Sequence, residues 1–405
     1  MSKIKIGIIK EGKVPIDRRV PITPFQAKLI KTQYDHVDVV CQSSDIRCFP
    51  DEDYISEGIE IVEDVSDCDI LFGVKEVPIP DLIEGKTYFF FSHTIKQQEY
   101  NRELLREILK KKISLIDYEC LTNSDAQRII AFGRYAGIVG AYNGIWTYGQ
   151  RYNLFNIRRS KDCFDLEDLK TEFAKVKLPP IKIVLTGGGR VARGAMEVLH
   201  GMGVRKVTPS KLLTEQNDEP TFAQLSSRDY HIHSEGQEFN RSEFFMFPEK
   251  YNSTFLDYAH EADILIAAAY WDPNAPVLFT RHDILKKDFS IKVVADITCD
   301  IEGSIPSTKQ PSTIEDPIYD YDPTTDQIAP ALAEEGNITV MAVDNLPCEL
   351  PRDASTDFGT ELINNVLPNL LGKEDKDDTI KRATITKKGS LTEKYSYLQG
   401  FVDGE

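Results

Sequence analysis

The chain has 405 residues, 41% hydrophobic and 28% charged, enough for two globular domains with a core each. With 48 Lys and Arg against 65 Asp and Glu the net charge is -17, which repels nucleic acid and anionic membranes and speaks against both as partners. No apolar run reaches the roughly 20 residues that span a bilayer. The seven cysteines form no CxxC pair, so reduced thiols and a cytoplasmic setting are expected.

In chain order, "KIGIIKE", "VDVVCQ", "DILFGVKE", "TYFFFSH" and "SLIDYECL" read as strands bounded by charge or turn residues. The first already occupies the N-terminus, where a leader would place an apolar stretch. Between the strands, "TPFQAKLIKTQ" and "QQEYNRELLREILKKK" read as helices, the former with Thr23 as cap and Pro24 at its first position. This alternation predicts a mostly parallel sheet covered on both faces. From Phe132, "FGRYAGIVGAYNGIWTYG" repeats small residues at near-helical spacing, which predicts a tightly packed helix connecting two domains. "DLEDLKTEFAKVKLPP" reads as a surface helix stopped by prolines.

"IKIVLTGGGRVARGAMEVL" then runs from strand through three glycines into helix. Gly187, Gly189 and Ala192 fit G-x-G-x-x-G/A, with Arg190 opening the helix. The first glycine permits the tight turn, the second lets a pyrophosphate approach the backbone, and the third small residue lets helix and strand pack closely. The helix N-terminus offers unpaired N–H groups to the anion. An NAD site carries an acid about 20 residues on. At that distance stands "KVTPSKLL", with Thr208, Ser210 and Lys211 but no acid at the strand end. Hydroxyls and a lysine suit a ribose 2′-phosphate, so the cofactor is read as NADP or NAD, with NADP favoured.

"VRKVTPS" reads as a strand and residues 213–245, polar and aperiodic, as a long loop or insertion. "ADILIAAAYW", "IKVVADIT" and "ITVMAVDN" read as buried strands, and "STDFGTELINNVLPNLLG" as an amphipathic helix before a charged tail. The alternate histidines of "HIH" at 231–233 lack a nearby Cys or third His, so no metal is assigned.

Lys75 and His93 each follow a strand, where open α/β sheets carry functional groups. "DRRVPITP", "GVKEVP", "FSHTIK", "RIIAFGRYAG" and "AVDNLPCELPRDAS" resemble, in order, the blocks of the saccharopine dehydrogenase (L-lysine-forming) family, related to alanine dehydrogenase and nicotinamide nucleotide transhydrogenase. "ADITCDIEGSI", "EDPIYDYDP" and "KRATITKKGSLTEKY" resemble the lysine-ketoglutarate reductase part of bifunctional lysine-degrading enzymes. The resemblance implies an oxidoreductase that interconverts saccharopine with L-lysine and 2-oxoglutarate through an imine, with hydride transfer to or from NAD(P).

It also implies roles. Lys75 and His93 would handle protons at the reacting atoms, as imine chemistry needs. Arg19 and Arg128 would bind substrate carboxylates through the guanidinium fork. Glu76 and Glu119 would orient Lys75 or hold an ammonium. Asp344 and Asn345 match a nicotinamide-proximal block, where relatives often carry histidine at the second position, and Asp300 matches an aspartate of alanine dehydrogenase. Tyr270 and Trp271, ending an apolar strand, line the cleft or pack. The expected fold is α/β, with two Rossmann-like domains, parallel sheets and an interdomain cleft. Residues 1–133 plus 346–405 would form the substrate domain and 134–345 the dinucleotide domain. Two rivals are a dehydrogenase of the alanine dehydrogenase type and a non-catalytic nucleotide-binding regulator.

Overall fold

The computed structural model describes residues 3–404; Met1, Ser2 and Glu405 lie outside the described residues. The described chain forms two compact units, residues 3–132 with 351–404 and residues 133–350. Both are mixed α/β and each centres on an eight-stranded sheet.

In the first unit, β1 (Ile4–Ile8), β2 (Val37–Gln42), β3 (Glu60–Val62), β4 (Ile70–Phe72), β5 (Thr87–Phe90) and β6 (Ser114–Asp117) pair in parallel, with β1 between β2 and β4. Thr384–Lys387 extends the sheet antiparallel to β6 and pairs in turn with Ser390–Leu391. Helix α1 (Pro24–Gln33) starts in a capping box, with Thr23 accepting from the Gln26 N–H and Gln26 Oε1 accepting from the Thr23 N–H. Helix α2 (Arg102–Lys110) buries Leu104, Leu105 and Ile108 and turns its charges outward.

In the second unit, β7 (Lys182–Thr186), β8 (Arg205–Val207) and β9 (Thr221–Leu225) are followed by the hairpin β10 (His231–His233) and β11 (Tyr251–Ser253). Then come β12 (Ile264–Ala267), β13 (Val293–Asp296), β14 (Ile318–Asp322), β15 (Gln327–Ala329) and β16 (Ile338–Met341). The order β15-β14-β16-β13-β12-β7-β9-β8 is parallel from β16 to β8, and β14 and β15 close one edge antiparallel. Strands β7, β12, β13 and β16 are buried along their whole length, as a sheet covered on both faces requires.

One expectation changes here. The stretch 213–245 is not one long loop, because Thr221–Leu225 is a largely buried strand inserted between β7 and β8. "VRKVTPS" does hold a strand, but that strand forms the sheet edge. The small-residue helix α3 (Gly133–Tyr152) packs on α4 (Arg190–Gly201), the helix after the glycine turn. At their crossing, a Cβ on Gly137 would collide with the Val191 carbonyl and one on Gly194 with the Arg134 carbonyl. Glycine is what lets the two backbones touch.

Candidate active site

Parallel strands bring their carboxyl ends to one edge of the sheet. In the first unit the exits of β1, β4, β5 and β6 carry Glu11 and Lys13, Lys75 and Glu76, His93, and Asp117 and Glu119 respectively. Two of these acids hold the backbone of a neighbouring exit. Glu11 accepts the N–H groups of Val74 (2.7 Å) and Lys75 (2.9 Å). Desolvation and the Asp17 carboxylate push Glu11 up to about 8, although the two N–H bonds oppose the shift. Asp117, fully buried, accepts from the N–H groups of Ser92 (2.8 Å) and Glu119 (2.7 Å), tying the turn before His93 to the exit of β6.

Glu76 joins two nitrogen donors. Its Oε1 lies 2.7 Å from His93 Nδ1 and its Oε2 accepts from Lys13 Nζ at 2.6 Å. Burial favours the neutral acid, but the bonds from His93 and Lys13 outweigh it and hold Glu76 at about 2. The ionised carboxylate accepts only, so Nδ1 of His93 carries the hydrogen and Nε2 is the nitrogen left for chemistry. His93 sits at a left-handed φ of 54°, a strained position for a side chain of this size. The Lys75 ammonium makes no hydrogen bond or ion pair with the described residues. Desolvation first, and the Arg19 charge second, lower its pKa from the ordinary lysine value.

An aromatic shelf brings the remaining residues together. Phe91 stacks on His93 and lies under the Arg128 guanidinium, and Phe132 lies 4.1 Å under that of Arg19. Arg128 is exposed, with Nη1 3.6 Å from Glu119 Oε1. Glu119 Oε2 is buried and has no hydrogen-bond partner among the described residues, an acceptor left open for a donor. Arg19 differs from the expectation. It is buried, and its fork grips Asp17 through Nε–Oδ1 (3.0 Å) and Nη2–Oδ2 (2.5 Å), so the carboxylate it meets is the chain's own.

In the second unit the glycine turn links β7 to α4. Gly187 has φ +97°, and a Cβ there would meet the Ala268 carbonyl, whereas Cβ atoms on Gly188 and Gly189 would meet nothing within 4 Å. That open backbone before Arg190, the first residue of α4, fits a pyrophosphate. Ala192, in the first turn of α4, is fully buried. Tyr270 and Trp271 follow β12 and line a hollow with Thr186, Ala269 and Ser227; the Trp271 indole donates to the Ala275 carbonyl at 3.2 Å.

Ser210 and Lys211 do not stand beside the turn. They lie on helix α5 (Pro209–Thr214) after the edge strand β8, and Lys211 faces Glu215 at 3.4 Å. Asp300 follows β13, where desolvation and the nearby Asp296 carboxylate raise its pKa. Asp344 is exposed after β16, and Asn345 donates to Cys348 Sγ at 2.8 Å. His231 Nδ1 bonds the Ser227 carbonyl (2.9 Å), and His233 Nδ1 accepts from the Glu235 N–H (3.2 Å). Among the described residues, no three His, Cys, Asp or Glu side chains gather as a metal site requires. Glu11, Lys13, Asp17 and Asp117 are the site groups that reading the sequence missed. For Glu11, Lys13 and Asp117 the one signal is position, at or soon after the end of a strand, and Asp17, well past β1, has none.

Comparison with known proteins agrees with this architecture. The sequence profile of the alanine dehydrogenase/PNT N-terminal domain matches residues 7–139, and that of the C-terminal domain matches residues 169–394, more than half of the chain. The chain belongs to the alanine dehydrogenase/PNT family of oxidoreductases. Within it, the chain is 32% identical to alpha-aminoadipic semialdehyde synthase of Mus musculus over 95% of its own length and 46% of that protein. It is 28% identical to the Arabidopsis thaliana synthase, over 97% and 41%. The chain thus spans a little under half of these relatives. It is 25% identical to the NAD(+), L-lysine-forming saccharopine dehydrogenase of Yarrowia lipolytica, over 93% and 94%. Two solved structures share the fold: an L-alanine dehydrogenase (TM-score 0.67, 17% identity, 99% of both chains) and a transhydrogenase from Sinorhizobium meliloti (TM-score 0.59, 16%, covering 96% and 98%). The described helices include none long and apolar enough to cross a membrane.

The order of effects on Lys75 makes a pH prediction for this family member. The Arg19 charge lowers the lysine more than the Asp17 charge raises it. Removing one partner of a buried pair costs about 3–5 kcal/mol, so both go together, as Asp17→Asn with Arg19→Met. With the larger of the two opposed charges gone, the Lys75 pKa rises, and any limb of the pH–rate profile set by this lysine moves to higher pH. A pH–rate profile that stays in place or moves to lower pH contradicts the coupling.

Proposed function

We propose that this chain catalyses the reversible condensation of L-lysine with 2-oxoglutarate to saccharopine. The observation that carries the reading is the grouping of Lys75, the Glu76–His93–Lys13 chain and the Glu119–Arg128 pair at the carboxyl edge of one sheet. A nicotinamide dinucleotide, held at the open glycine turn, supplies the hydride in one direction and accepts it in the other.

The other roles fall to the chain's own residues. The ε-amine of lysine must lose a proton to attack the keto carbon, and the resulting carbinolamine must lose water to give the imine. Lys75, made less basic by burial and by Arg19, takes and returns a proton. His93, fixed through Nδ1 by Glu76, does the same through Nε2. Arg128 meets a substrate carboxylate with its planar fork, and the open Glu119 Oε2 accepts from a substrate ammonium. Arg19 acts on Lys75 through its charge rather than on the substrate.

The test is nucleotide oxidation by the purified chain, followed by absorbance. Turnover is expected only when lysine and 2-oxoglutarate are both present. Turnover with ammonia and a small 2-oxo acid would instead make the chain a dehydrogenase of the alanine dehydrogenase type. Nucleotide binding without turnover on any amine and oxo-acid pair would leave a regulator.

A further inference from the structure

The buried network beneath His93 and Glu119 runs through one carboxylate. Asp117 ends β6, opposite Phe90 at the end of β5. Its Oδ1 accepts from the Glu119 N–H at 2.7 Å and caps the short turn Tyr118–Cys120. A cap of that kind uses one oxygen and concerns one turn. The other oxygen crosses to the exit of β5, where Oδ2 accepts from both the N–H (2.8 Å) and the hydroxyl of Ser92. The Ser92 oxygen lies 2.8 Å from Thr94 Oγ1 and accepts from the Thr94 N–H at 3.3 Å, so it also braces the residue after His93. His93 thus stands between two residues that one carboxylate and one hydroxyl hold.

Three features distinguish this bridge from a turn that only caps itself. Ser92, Thr94 and Asp117 are all fully buried, and no cation among the described residues pairs with Asp117. A carboxylate buried in that way is costly, and the bonds from Ser92 and Glu119 are what oppose the rise in its pKa that desolvation causes. The backbone of His93 is held at φ 54°, a left-handed conformation that persists only where neighbours enforce it. The two turns that Asp117 joins also carry two partly exposed side chains of the candidate site, the His93 imidazole and the Glu119 carboxylate.

We infer that Asp117, acting with the Ser92 hydroxyl, is a positioning residue that fixes the His93 imidazole and the Glu119 carboxylate in one frame. The nitrogen that moves the proton and the oxygen that accepts from the substrate ammonium thereby keep their spacing. The inference rests on the roles proposed above for His93 and Glu119. Asp117 does not itself meet substrate, because it is fully buried with both oxygens engaged. The two arms are separable: the Ser92 hydroxyl serves the His93 arm alone, whereas Asp117 serves both.

The test is steady-state kinetics of the full chain with the amine and oxo acid that the wild type turns over, lysine and 2-oxoglutarate being expected. Ser92→Ala and Asp117→Asn are measured alone and in the His93→Asn background. Ser92→Ala should lower kcat by about 3- to 10-fold, the range of one lost hydrogen bond, and leave the amine KM within about 2-fold. In Asp117→Asn an NH2 group replaces one acceptor, so only one of the two turns keeps its hold, and kcat/KM for the amine should fall by about 10- to 100-fold. With His93→Asn no imidazole is left to position, so Ser92→Ala should lower the residual kcat by less than about 2-fold. Nucleotide affinity should stay within about 2-fold throughout. Wild-type kinetics in both variants would overturn the inference. So would an equal loss from Ser92→Ala with and without the imidazole, because a merely structural bond costs the same in either background. A parallel loss of nucleotide affinity would mark general damage and overturn it too. Ser92→Ala carries the comparison alone should Asp117→Asn fail to fold. No turnover by the wild type with any amine and oxo-acid pair would overturn the function proposed above, and this inference with it.

Discussion

In the proposed reaction, Lys75→Met is expected to lower kcat by about 10²- to 10⁴-fold, the span of a positioned acid–base group, and to leave nucleotide affinity unchanged. The substitution tests chemistry rather than folding, because the Lys75 ammonium holds no partner among the described residues and Glu11 grips only its backbone N–H. His93→Asn should cost a similar factor. Asparagine is the suitable replacement because it tolerates the left-handed backbone at φ 54° better than most residues. Removing the imidazole also deletes one of the two bonds that hold Glu76 at about 2, so the Glu76 pKa rises in that variant. The double variant should fall little below the worse single one if the two groups serve the same proton-transfer sequence. Wild-type kcat in Lys75→Met would remove the lysine from the reaction. A large rise in KM at constant kcat would make it a binding group.

What could be read in advance follows a physical line. Five of the six parallel strands of the first unit, all but β3, are largely apolar runs with charged or turn residues at their ends, and each formed where that punctuation placed it. Lys75 and His93 were visible for the same reason, since a polar residue just past such a run lies at a sheet edge. "TFAQL" was not visible as a strand. It has two large apolar residues, lies between polar segments, and is buried by the strands on either side rather than by its own pattern. Without it, the strand next to β7 was read as β8, which lies one place further out at the sheet edge. The pairing of Arg19 with Asp17 was equally hidden, because neighbouring charges give no sign of which will turn inward together. Glu11 and Asp117 show the same limit. An acid at a strand end reads identically whether it faces water or holds the next turn's N–H groups.

The largest expected effect on stability comes from the helix crossing in the second unit. Gly194→Ala places a methyl against the backbone carbonyl of Arg134, and Gly137→Ala places one against that of Val191. Neither obstacle is a side chain that can swing aside, so α3 and α4 must separate. Separation disturbs the burial of Ile138, Ala141, Ala195 and Val198. The cost is about 3 kcal/mol or more for each variant, the upper end for overpacked sites, and it should appear as a lowered melting temperature with weakened nucleotide binding. Gly189→Ala supplies the contrast. Its added methyl meets nothing within 4 Å, so the melting temperature should hold. In the proposed cofactor site the same methyl stands where the pyrophosphate approaches the backbone, so affinity for either dinucleotide should fall by about 10-fold or more. Melting and titration of the three variants separate the two roles of glycine in this unit. A Gly194→Ala protein as stable as the wild type would mean that the helices do not meet there, and undiminished binding in Gly189→Ala would mean that the pyrophosphate lies elsewhere.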